Sequence, residues 1–341
     1  MMHDNCMDYQ LICCDSVFAC CGRRPFFLVV RRRRFVWPSL QLRMVRARAC
    51  KLEGLRPSEP ALPVVLRTLV LTTLAMLAFA GNSLLCRQAL KHTAIDATSF
   101  TLIRIVCGAA VLWLILRLRQ APAPALGNWA SAACLFVYAA AFSFAYIDLS
   151  AATGALLLFG AVQATMIGRG VWAGERPGVV QTLGLLLAGA GLVTLLLPGV
   201  AAPELQPAAL MLLAGAAWGV YSLRAKGSGD PTQVTAGNFL RASGLAAVLA
   251  AVMLPHWRVD SAGVAYAIAS GAITSGLGYA VWYTALRGLS ATTAASVQLS
   301  VPAITALGGV LLLAEPLTLR LVVCSLAILG GIALVISKKP A

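Results

Sequence analysis

Residues 289–318, LSATTAASVQLSVPAITALGGVLLLAEPLT, align without a gap on residues 149–178, LSAATGALLLFGAVQATMIGRGVWAGERPG. At this constant offset Leu149, Ser150, Ala151, Thr153, Ala155, Thr165, Gly168 and Glu175 meet identical residues, and Glu175 falls on Glu315. Shared alanines and leucines arise readily between two apolar helices. The only glutamate of each segment, in register after an ungapped stretch, does not.

Each segment contains an apolar run of about 20 residues, long enough to cross a bilayer as a helix. Working outward, such runs fill the chain from about residue 64: 64–86, 97–117, 127–147, 149–168, 178–198, 207–225, 234–254, 261–283, 290–313 and 317–336. The runs are too long, and alternate too little, for strands of a barrel. Of the 341 residues 60% are hydrophobic and only 11% charged, with mean hydropathy +0.83. A soluble domain carries roughly a quarter charged residues. The sequence therefore predicts an all-α polytopic membrane protein of about ten transmembrane helices. It divides into two five-helix halves, 64–198 and 207–338. Five is odd, so the second half enters the membrane in the opposite sense, as in inverted repeats with a substrate site between them.

A weaker echo links the first spans of the halves, where Phe79-Ala-Gly-Asn82 with Arg87 corresponds to Trp218-Gly-Val-Tyr221 with Arg224. The second spans carry one arginine each, Arg104 and Arg241. The order Phe-x-Gly-Asn, arginine, Gly174-Glu175, and the same programme closing on Ala314-Glu315-Pro316-Leu317-Thr318 resembles the drug/metabolite transporter superfamily, specifically proteins with two EamA-type domains. The resemblance covers about residues 64–338. It implies a ten-helix bundle that exports or exchanges small metabolites, in a bacterial inner membrane. Two departures stand out: Pro177 is shifted relative to Pro316, and Val162 stands where the second half has Pro302.

The net charge is +15, and 11 of the 27 Lys and Arg lie in residues 1–66. A polybasic stretch before a first span marks the cytoplasmic side and meets anionic lipid; nucleic acid is not the expected partner. The arginines in the even-numbered connections agree, placing both termini in the cytoplasm. Residues 1–62 hold six of the ten cysteines without the spacing of a zinc site. This segment is expected to be disordered or to precede the true start, with Met44 giving a short basic lead. The remaining cysteines read as packing residues.

Ionisable groups inside a bilayer are costly and default to functional candidates. Arg104 and Arg241 read either as snorkelling residues or as anchors for an anionic or zwitterionic substrate. Pro302 leaves the Gln298 carbonyl without its helical donor, so the ninth span is kinked there. Gln298, and Gln163 in the fourth span, then become candidate substrate contacts. Tyr138 and Phe142 share one face of the third span. Trp282 with Tyr279 in the eighth, and Trp218 with Tyr221 in the sixth, form further aromatic stripes. These, with Asn82, are candidates for walling a cavity. Glu175 and Glu315 read as structural acids at helix N-termini. Gly215-x-x-x-Gly219, Gly184-x-x-x-Ala188 and Gly271-x-x-x-Ser275 permit close helix approach.

No nucleotide loop, no span histidine and no mid-span carboxylate exist in the sequence. No catalytic residue, metal site or cofactor is expected. The reading is a secondary transporter or exporter of a small polar metabolite, amino acid-like or drug-like, working by alternating access. Its alternatives are an exchanger of sugar phosphates or nucleotide sugars, or an intramembrane enzyme acting on lipid. Whether the chain works alone or as a homodimer stays open.

Overall fold

The structure, a computed structural model, describes residues 61–120, 127–174, 176–197, 202–224, 230–289 and 291–337. The expectations for the N-terminal segment and for Glu175 fall outside these residues. Ten helical spans follow one another among the described residues. They are α1 (Ala61–His92), α2 (Ala97–Leu118), α3 (Trp129–Ala145), α4 (Ala151–Trp172), α5 (Val179–Leu196), α6 (Leu205–Arg224), α7 (Pro231–Val252), α8 (261–286), α9 (291–313) and α10 (Leu319–Ser337). A short 3₁₀ turn, Leu254–His256, separates α7 from α8.

Span ends are set by polar caps, because lipid supplies no partner for free N–H groups. Asp96 caps α2, Asn128 α3, Ser150 α4, Asp230 α7 and Asp260 α8. Eight of the helices are long and apolar enough to cross a membrane, and α3 is a shorter apolar helix. The sequence counted α6 as a comparable span; it is not among the eight. α6 lies between α3 and α4, burying Ala208, Met211, Ala214, Gly215 and Tyr221.

The helices pair in a pattern that repeats after five. α1 packs on α8 and α9, while α6 packs on α3 and α4. α2 lies on α7, and α5 on α10. Several crossings are close enough to require glycine. A Cβ on Gly271 would sit 2.3 Å from the Arg104 carbonyl, and one on Gly215 2.4 Å from the Leu158 carbonyl.

Two helices depart from regular geometry. α8 is π-helical over Ser270–Leu277. α9 is interrupted at Leu299, between Ala291–Gln298 and Ser300–Leu313. The interruption comes three residues before Pro302, where the missing donor had predicted a break.

The ends of α4 locate the two repeated connections. Ala151, at its start, contacts Glu315, so the α9–α10 connection lies at that end. Gly174 follows its far end, and a 22-residue helix spans ~33 Å. The connections at Gly174 and Ala314 thus lie at opposite ends of the bundle.

Candidate functional site

At the centre of the bundle is a cavity of about 20 Å³, lined by α1, α3, α4, α6 and α8. Phe79, Asn82 and Ser83 come from α1, Tyr138 and Phe142 from α3, and Leu158 and Phe159 from α4. Trp218 comes from α6, and Thr274, Ser275 and Tyr279 from α8. Phe79 and Trp218 occupy matching places in the first helices of the two halves. The volume admits about one water molecule, far below the ~300–1,000 Å³ of an ordinary ligand pocket.

The walls are aromatic and continuous. Trp218 stacks on Tyr221 and Tyr279, with centroids 5.4 and 5.1 Å apart, and leans on Tyr138 at 5.0 Å. Phe79 meets Tyr279 and Trp282 edge-on. The polar side is gathered on Asn82. Its Oδ1 accepts from Ser270 Oγ at 2.7 Å and Thr274 Oγ1 at 3.2 Å, and its Nδ2 donates to Tyr138 OH at 3.3 Å. The π-helical stretch places Ser270 and Thr274 together on Asn82 and brings Ser275 into the wall. Such stretches recur at functional sites. Among the described residues no three His, Cys, Asp or Glu side chains converge as a metal site would require.

Arg104 lies against this wall. Its guanidinium carbon is 5.4 Å from the Tyr138 ring centre and 5.0 Å from that of Phe142. The residue is 2% exposed, Nη1 has no hydrogen-bond partner, and no carboxylate lies within ion-pair distance among the described residues. Two cation–π contacts are worth about 2 kcal/mol each when desolvated. They leave one guanidinium nitrogen unsatisfied.

The other sequence candidates divide. Asn82, Tyr138, Phe142 and Trp218 line the cavity; Tyr221 and Trp282 back its aromatic wall. Gln163 is buried on α4 outside the lining. Gln298 is half-buried, and its amide turns back to the Ala294 carbonyl at 3.4 Å, outside the lining. Arg241 also lies apart: Nη1 donates to the Gly237 carbonyl, and the guanidinium sits 6.0 Å from the exposed ring of Trp129. Ser83, Ser270, Thr274 and Ser275 were not singled out as site residues. For Ser83 the only signal is its place beside Asn82, and for the other three it is the small-residue run Ser270-Gly-Ala-Ile-Thr-Ser-Gly276.

One end of the bundle near the cavity is tied by a buried ionic knot. Arg87 Nε donates to Glu315 Oε1 at 3.0 Å, and its Nη1 donates to the carbonyls of Tyr146 (3.0 Å) and Ile147 (2.7 Å). Glu315 Oε2 accepts the Ala151 amide at 2.8 Å. Glu315 is therefore a helix N-terminal acid, but for α4 and not for the adjoining α10. Ala314, at φ 51°, turns the chain back after α9 and aims Glu315 inward. The knot joins α1, the α3–α4 turn and the α9–α10 connection. At the same end Asp96 Oδ2 accepts the Arg258 amide at 3.0 Å, tying two further connections.

Comparison with known proteins supplies the lineage. The sequence profile of the EamA-like transporter family matches residues 206–337, the second half of the bundle. Uncharacterized protein PA1977 of Pseudomonas aeruginosa is 61% identical over 274 residues, covering 80% of this chain and 96% of that protein. The threonine/homoserine exporter RhtA of Salmonella typhimurium is 32% identical over 146 residues, 40% of this chain and 48% of RhtA. A solved crystal structure 18% identical in sequence superposes with a TM-score of 0.58 over 79% of this chain and 96% of the other, a likeness of fold alone. An all-helical bundle of membrane-spanning length, the family profile and these relatives agree: the chain belongs to the EamA-like transporter family, within the drug/metabolite transporter superfamily, and is a membrane transporter.

Proposed function

We propose that the chain is a secondary transporter that exports a small polar metabolite, amino acid-like or drug-like, by alternating access. The halves 64–198 and 207–338 act as two EamA-type repeats set head to foot. Substrate is held in the cavity walled by Asn82, Tyr138, Phe142, Trp218 and Tyr279. The carrying observation is that cavity, lined by helices of both halves, with the Arg87–Glu315 knot one helical turn beyond its lining residue Ser83. The knot then serves as the closed gate on its face. Opening requires α1 to part from the α3–α4 turn and the α9–α10 connection, which breaks the Arg87–Glu315 pair.

The small volume supports a collapsed resting site, since any metabolite needs the walls to separate. Residues that let helices slide are at the needed crossings, Gly215 against α4 and Gly271 against α2. RhtA, alike over part of its length, is named as an exporter of threonine and homoserine; amino acids are therefore the first class to assay. The protein resides in the bacterial inner membrane with both termini cytoplasmic, and carries out no chemical conversion.

The test is counterflow in proteoliposomes against amino-acid, sugar and nucleoside panels, with and without a pH gradient, using the full chain and Trp218→Ala. Saturable exchange of one class, weakened at least tenfold by Trp218→Ala, is expected. Exchange unaffected by that change would place the route elsewhere. No exchange of any panel member would end the transport reading for these solutes.

A further inference from the structure

We propose that Arg104 is the counter-ion of the transported molecule, so that the substrates of this chain carry a carboxylate, or an equivalent monoanionic oxyacid, that docks on its free Nη1. The inference rests on the transport reading above and narrows it.

Three observations carry it. First, Arg104 is a buried cation with no carboxylate partner among the described residues, and leaving such a charge unpaired in a low-dielectric interior is strongly unfavourable. Arg87, five residues before the end of α1, shows how this bundle satisfies a structural arginine: one carboxylate and two carbonyls surround it. Arg241, the lone arginine of the second half's second span, stays half-exposed and satisfies itself on its own helix carbonyl. Arg104 does neither, and Nη1 remains open. Second, its guanidinium abuts Tyr138 and Phe142, which line the cavity. A shift of these rings as α3 moves would bring the guanidinium to a bound molecule. Third, the lining contains no Asp or Glu among the described residues, so no carboxylate there neutralises a cationic substrate, and Arg104 repels one.

The geometry also fixes the rest of the ligand in outline. The guanidinium presents donors only and suits a planar oxyanion. The rings of Phe79, Trp218 and Tyr279 suit a flat or apolar body. Asn82, Ser270 and Thr274 already bond one another, so they add neutral hydrogen-bonding capacity and no charge.

The experiment uses three nearly isosteric probes: 3-phenylpropionate, 3-phenylpropionamide and 3-phenylpropylammonium. Each is titrated against the purified full chain in detergent by calorimetry, and each is used as a competitor of counterflow in proteoliposomes. The expected result is carboxylate binding about 10- to 100-fold tighter than the amide, the range of a charge-assisted hydrogen bond, with the ammonium weakest. Arg104→Gln should abolish the preference for carboxylate over amide, and Arg104→Lys should retain part of it. A monodisperse elution profile for both variants separates this from misfolding; should the Gln variant not fold, the Lys variant and the wild-type ranking decide. Equal binding of carboxylate and amide by the wild type, or no binding of either, overturns the proposal. Robust counterflow of a solute lacking any anionic group, unchanged by Arg104→Lys, overturns it while transport stands. Absence of all counterflow in the wild type overturns both.

Discussion

Glu315→Gln tests the ionic knot with the least change of shape. The carboxylate accepts two hydrogen bonds, from Arg87 Nε at 3.0 Å and the Ala151 amide at 2.8 Å, with the two side chains of the pair 10% and 14% exposed. Charge-assisted bonds contribute roughly 1.5–3 kcal/mol and neutral ones about 0.5–1.5. Losing the charge from both costs about 2–3 kcal/mol, which includes the attraction to the α4 N-terminus. Glu315→Ala goes further, stranding a buried arginine, and costs about 3–5 kcal/mol. A double-mutant cycle of Glu315→Gln with Arg87→Gln, read by unfolding in mixed micelles, should give a coupling of about 1.5–3 kcal/mol. Exposed pairs give less than about 1 kcal/mol, so burial is what the measurement weighs. The gating role has its own readout: Ser83→Cys, placed on a buried cavity residue in a background without native cysteines, should react faster with a polar maleimide when Glu315 is Gln. A coupling under ~0.5 kcal/mol would refute the energetic argument. An unchanged labelling rate would refute the gate.

Four further outcomes are expected. Burial acts to raise the Asp96 carboxyl, but hydrogen bonds from Ser99 and the amides of Arg258, Ser99 and Thr98 outweigh it and hold it below 3.8. Its stabilisation is therefore complete above that value and is lost as the pH falls through the lower, folded one; Asp96→Asn should cost about 1 kcal/mol at pH 7, and the difference from wild type should shrink as the pH is lowered below the ordinary carboxylate range, as unfolding measured against pH would show. Gly271→Ala should destabilise by about 1–3 kcal/mol through contact with the Arg104 carbonyl, whereas Gly330→Ala, which meets open space, should leave the melting temperature unchanged or higher. Ala314→Gly relieves a left-handed residue and should gain up to about 1 kcal/mol; a loss would mean the turn is held by something other than backbone conformation. Halves divided between residues 202 and 204 should each be unstable when expressed alone and should recover a folded bundle when co-expressed, judged by size-exclusion profile.

The ten spans were legible because a bilayer demands length and apolarity at once, and the connections are too short to hide another element. The break before Pro302 was legible for an equally local reason. Partnerships across the bundle were not. Glu315 reads naturally as the acid of the helix that follows it, yet its partners lie 228 and 164 residues away. They follow from α9 packing against α1 and α4, which no local pattern encodes. Arg104 and Arg241 show the same limit. Each is the arginine inside its half's second span, but their surroundings differ: one meets Tyr138 and Phe142 and is sealed, the other meets an exposed Trp129. The π-helical stretch of α8 was read only as small residues for packing, because a widened turn has no periodicity of its own to reveal it.

Sequence unit and folding unit therefore differ in this chain. The family profile recognises residues 206–337 as a block, and the internal repeat argues that 64–198 descend from a similar one. In the structure neither block encloses its own first helix. α1 is packed by α8 and α9, and α6 by α3 and α4. The cavity inherits this exchange: Phe79 of α1 faces Tyr279 of α8, and Trp218 of α6 faces Tyr138 of α3. Each half thus supplies one wall to the other, so the motion of one half against the other that the proposed transport requires would change the site directly, without a relay. The knot at Arg87 and Glu315 follows the same rule, joining the first helix of one half to the last connection of the other. In a bundle built this way, the alternating access proposed above makes opening one face and reshaping the site a single movement.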